Sequence, residues 1–74
     1  MTPEEKAWCR RVHTLAMQAL GLAGAAETNL EKGTLAADLC RQSQLASLAL
    51  ATEANVRVRD AEMRADQAGT ADNE

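Results

Sequence analysis

An all-α fold, two antiparallel helices forming a hairpin, follows from three features of this 74-residue sequence. Alanine, leucine, glutamate, glutamine and arginine dominate the composition, and all are good helix formers. Strand-favouring residues are few: Phe and Tyr are absent, and Trp8 is the only aromatic. Apolar residues recur at steps of three and four along most of the chain, the spacing of a helical stripe. Pro3, the only proline, stands where a first helical turn accepts it. A chain of this length makes one domain at most, and it buries too small a share of its surface to be comfortably stable alone.

The first helix is expected over about residues 3–32. Thr2 supplies a capping hydroxyl, and Glu4 and Glu5 face the positive end of the helix dipole. Trp8, Val12, Leu15, Ala19, Leu22 and Ala26 then alternate at steps of four and three, which predicts the buried stripe. Cys9, Ala16, Leu20 and Ala23 widen it, while Lys6, Arg10, Arg11, Thr14, Gln18 and Thr28 fall largely opposite. Lys32-Gly33-Thr34 places a basic residue in a last turn, glycine just past the helix end, and a new capping threonine. Against that position, Thr28-Asn29-Leu30-Glu31 matches a capping box that opens a helix earlier. Gly21 and Gly24 mark either close helix approach or an alternative turn. The turn is placed near Gly33.

The second helix is expected over about residues 34–67, giving a single domain of residues 1–67. Leu35, Leu39, Ala46, Leu50 and Ala54 share one face; Leu45, Leu48, Ala49, Thr52, Val56 and Met63 share another. Around Leu45–Ala51 the helix is apolar nearly all round, and a helix apolar on every side is buried on every side. One hairpin partner covers only one of those faces. The prediction is therefore a homodimeric four-helix bundle, with Leu35, Leu39, Ala46 and Leu50 against one neighbour and Leu45, Leu48, Ala49 and Val56 against the other. Its interface residues are Trp8, Val12, Leu15, Leu22, Leu45, Leu48, Ala49, Val56 and Met63. Glu53–Arg57 and Asp60–Arg64 are acid-to-base pairs four apart on a solvated stretch. Residues 68–74 are small and polar and are expected to form a disordered tail.

No catalytic, cofactor-binding or metal-binding set stands out, so an enzyme is not expected. Cys9 and His13, four apart, make half of a zinc site or a thiol–base pair, and Cys40 is the only other soft ligand. The two cysteines are expected to be small buried residues in a reducing compartment. If the turn lies at Gly33 they stand near opposite ends of the hairpin; if it lies at Gly21–Gly24 they stand at one level. Arg10-Arg11 followed by Leu15–Ala26 is a loose match to a signal peptide, but Glu4, Glu5 and Gln18 spoil it. No run approaches the ~20 apolar residues of a membrane span, and a cytoplasmic setting is expected.

The net charge is −3, from eight basic and eleven acidic residues, and the surplus acid lies in the second half. Such a field does not attract phosphate backbones, so nucleic acid is a disfavoured partner. Thr34–Ala49 threads onto a helix-turn-helix only with Cys40-Arg41 near a turn at Gln42-Ser43 and a recognition helix of mostly Leu and Ala. The overall plan resembles the plasmid copy-number regulators of the Rop type, which are dimeric helical hairpins. That likeness lies in size and layout; no residue motif carries over their RNA-binding role. The expected function is a non-enzymatic interaction protein, by analogy a small bacterial or phage-type regulator, inhibitor or adaptor that binds another protein. Alternatives are a nucleic-acid-binding regulator and a subunit that folds only within a larger assembly.

Overall fold

The computed structural model describes residues 1–72, and side chains through Gln67. Helix α1 spans Pro3–Thr28 and helix α2 spans Leu35–Asp72, and the two pack antiparallel as a hairpin. At the start of α1 the Thr2 hydroxyl accepts the Glu5 backbone N–H at 3.1 Å and donates to the Glu5 carboxylate at 3.2 Å. Cap, Pro3 and acidic first turn act together, as the sequence implies.

The turn lies on the Gly33 side of the two alternatives, since Gly21 and Gly24 are both inside α1. Helix α1 nevertheless ends at Thr28, four residues before Lys32. The Asn29 and Leu30 backbone N–H groups tighten onto the Ala26 and Glu27 carbonyls at 3.1 and 3.0 Å. The Asn29 side-chain amide donates to the Ala25 carbonyl at 3.0 Å. These bonds satisfy the carbonyls that a helix end leaves open and close the helix early. The Thr28–Glu31 match to a capping box starts nothing: the Thr28 hydroxyl donates backward to Gly24 at 2.7 Å. Gly33 then takes a left-handed φ of +82°, and Thr34 caps α2 by accepting the Ala37 N–H at 3.2 Å.

Helix α2 runs unbroken through Gln42-Ser43, so Thr34–Ala49 does not form a helix-turn-helix. It also continues to Asp72 rather than ending at Gln67. Ala65, Gln67 and Ala68 are good helix formers, and the lone Gly69 is tolerated within a turn of the end. Of the expected tail, 68–72 are therefore helical in backbone, and Asn73 and Glu74 lie outside the described residues.

The seam between the helices differs from the predicted one. On α1 it runs through Cys9, His13, Ala16, Leu20, Ala23 and Glu27; on α2 through Ala37, Cys40, Gln44, Ser47, Ala51, Ala54, Val58 and Ala61. Steps of three and four alternate on both helices, the 3.5-residue period of left-handed antiparallel packing. Relative to the Trp8–Ala26 stripe the α1 seam is displaced by one residue, about 100° around the helix, onto the row of Cys9, Ala16, Leu20 and Ala23 expected only to widen it. On α2 neither predicted face meets α1, apart from Ala54; a third, small-residue face does. Two helices bring an alanine face together closely without leaving voids, whereas rows of leucines hold them apart around space that only further helices fill.

The core that results is thin. Among the described residues only Ala16, Ala37, Ala51, Ala54 and Val58 are buried. The molecule measures 61 × 18 × 13 Å with a radius of gyration of 17.5 Å, where a globular chain of this length has about 11 Å.

Opposite responses are expected at two glycines. A Cβ meets nothing within 4 Å at Gly21 or Gly33, so backbone conformation alone decides. Gly21→Ala, mid-helix, should stabilise by about 0.5–1 kcal/mol; Gly33→Ala, at positive φ, should cost about 1–2 kcal/mol. Thermal unfolding of the two variants checks both signs. Ala51, only 2% exposed on the seam, should reject a larger side chain. Ala51→Leu is expected to lower stability by about 1–3 kcal/mol in denaturant titration, and an unchanged midpoint would remove the alanine seam from the account.

Candidate interaction surface

Because small residues fill the seam, the large ones are left outside. Trp8 is 60% exposed, Leu22 74%, Leu35 75% and Leu45 63%. Leu15, Leu48, Val56 and Met63 are also exposed, as is Ala49, and Val12 is half-buried. All nine predicted interface residues therefore lie outside the buried core of the hairpin. Leu39, Leu50 and Met17, which the predicted interface set omitted, are exposed as well. Their signal was present as a stripe offset from the seam, hidden because the larger side chains were assigned to the core.

These side chains fall on two flanks and an outer edge. Arg10 donates to the Glu62 carboxylate at 3.0 Å across the pair, and each of these residues follows a seam residue, Cys9 and Ala61. In an antiparallel pair, residues that follow the seam share one side, and residues that precede it share the other. The first flank thus carries Arg10, Met17 and Gly24 of α1 with Arg41, Leu48, Asn55 and Glu62 of α2. It holds a second cross-pair: Glu27 accepts from Arg41 at 3.4 Å and from Gln44 at 2.6 Å. The second flank carries Val12, Ala19 and Ala26 with Ser43 and Leu50, bordered by Leu15, Leu22, Leu39 and Ala46. Leu35, Ala49, Val56 and Met63 lie along the α2 edge opposite the seam.

Trp8 belongs to the second flank at its open end, where the Arg11 guanidinium sits over the ring at 6.0 Å. At that distance the cation–π attraction is marginal, and the ring presents most of its surface outward.

Cys9 and His13 are half-buried seam residues beside a cleft of about 230 Å³ lined by Thr14, Ala54, Asn55 and Val58. That is below the ~300–1,000 Å³ of ordinary small-molecule sites. Cys40 lies near the bend and both thiols are free. Among the described residues no three His, Cys, Asp or Glu side chains gather as metal ligands do. The groove beside the turn is lined by charges of both signs, including Lys32, Asp38 and Arg41; its Glu27 carboxylate is already engaged. No helix among the described residues is long and apolar enough to cross a membrane.

Comparison with protein-family models, with curated proteins and with solved structures returned no match. The surface has to be read from its own geometry.

Proposed function

We propose that this chain is a non-enzymatic interaction protein whose helical hairpin completes its apolar surface against other chains. The assembly proposed is a homodimeric four-helix bundle, and the activity is that of a small regulator, inhibitor or adaptor that binds a further protein. One observation carries the reading: Trp8, Val56 and every leucine but Leu20, which would stabilise a lone domain, are exposed, and the buried core of the hairpin consists of four alanines and Val58. The surface area supports it. A monomeric globular protein of this mass presents about 4,400 Å², and this hairpin presents 5804 Å². Exposed large apolar side chains gathered on one molecule in this number mark interaction sites on soluble proteins.

Assembly of this sort links stability to concentration. The thermal midpoint of the purified chain should rise by several degrees over about a hundredfold range of concentration, with sedimentation giving the mass of two chains. A folded chain at the mass of one, with a midpoint independent of concentration, would falsify the reading. A chain without helical circular dichroism at any concentration marks instead a subunit that folds only within a larger assembly.

A further inference from the structure

The two flanks of the hairpin are chemically unlike, and that difference assigns them different neighbours. The flank bearing Arg10 and Glu62 is laced by the Arg10–Glu62 and Arg41–Glu27 ion pairs and by the Gln44–Glu27 hydrogen bond. On the other flank, the positions from Val12 to Ala26 on α1 and from Ala36 to Leu50 on α2 carry no charged side chain at all. The charges of that side, Glu53, Arg57 and Arg64 among them, lie beyond Leu50, and from Arg57 onward they reach the open end near Met1. We infer that a second copy of this chain covers this uncharged flank, and that Leu45 and Leu48 lie outside the dimer contact. The inference rests on the dimer proposed above and adds which surface makes it.

Three arguments select a second copy as the occupant. A two-fold contact sets one patch against itself, so the patch must carry both projections and recesses. This one does: Leu15, Leu22, Leu39 and Leu50 project, and Ala19 and Ala46 leave gaps between them. Next, the absence of charge matters more for self-association than for other partners. Any charge near the centre of a two-fold patch meets its own like, and none is there to repel. Finally, the hairpin carries about 1,400 Å² more surface than a globular monomer of its mass. A stable interface removes about 800 Å² per partner, so the dimer is satisfied with surface to spare on the opposite flank.

The test uses the full chain. Sedimentation should show that Leu15→Glu and Leu50→Glu each raise the dimer dissociation constant by about 100-fold or more, because a two-fold axis counts each change twice. Leu48→Glu should leave it within about threefold. Since a dimer-breaking variant of so thin a core also loses helix, a photo-crosslinking residue gives an independent reading. Placed at Leu22 it should yield covalent dimers, and placed at Leu45 it should yield none. Dimers from Leu45 and not Leu22, or weakening by Leu48→Glu alone, overturn the assignment of the face while leaving the dimer standing. A wild-type chain at monomer mass throughout overturns both.

Discussion

The closeness of the two helices governs the rest of this molecule. Ala16, Ala37, Ala51 and Ala54 are buried between α1 and α2 with Val58 beside them, and the larger seam residues His13, Leu20, Glu27 and Gln44 are only half-buried. Each buried methylene contributes about 0.8 kcal/mol, so a buried core of four alanines and one valine gathers little hydrophobic energy per residue. Fixing the backbone of each residue costs about 1–2 kcal/mol. An alanine seam therefore defines a geometry well and stabilises it weakly. Everything large is pushed to the outside by the same closeness, and the exposed flanks follow from the seam rather than standing beside it as a separate fact.

Local chemistry at the helix ends was legible in the sequence, because caps and turns act through near neighbours. Thr2, Pro3 and Glu5 form the start of α1 as their residue types imply, and Gly33 and Thr34 form the turn and the start of α2. The early stop at Thr28 was harder to read. It depends on Asn29 satisfying carbonyls through its side chain, while Thr28 offers a competing match that is spent on Gly24 instead. The run of α2 past Gln67 was masked by Gly69, whose cost is too small to end a helix this long.

The orientation of the faces was legible only in part, since Cys9, Ala16, Leu20 and Ala23 were placed on the buried side but not at its centre, and the reason is physical. On α1 two adjacent rows share the same alternation of three and four, one led by Trp8 and the other by Cys9, and periodicity cannot rank them. Weight by side-chain size favours the row with Trp8, Leu15 and Leu22. Packing between only two helices favours the row with Ala16 and Ala23, which lets the rods approach. The same choice on α2 sets Ala51 and Ala54 inside and Leu45, Leu48 and Leu50 outside. The surplus of apolar surface was nonetheless readable, since it depends on how many leucines there are and not on which way they point.

An alanine seam has a further weakness: it is repetitive, so sliding one helix by a heptad exchanges one small residue for another at little cost. The polar positions in the seam remove that freedom. Gln44 and Glu27 meet at 2.6 Å in this register, with Arg41 on the same carboxylate, and a slipped pairing takes both donors from that partly buried carboxylate, while the Gln44 amide keeps only its bond to the Cys40 carbonyl of its own helix. Unmade hydrogen bonds of that kind cost about 1–3 kcal/mol, a large share of what so thin a core supplies. Single polar residues in repetitive helical seams fix register in just this way, at some expense of stability. The cluster sits close to the short turn at Gly33, where the two helices are already held together, so register is set from the closed end and carried along the rods. At the open end the exposed Arg10–Glu62 pair is worth at most about 1 kcal/mol, so it adds little to a register already set at the turn.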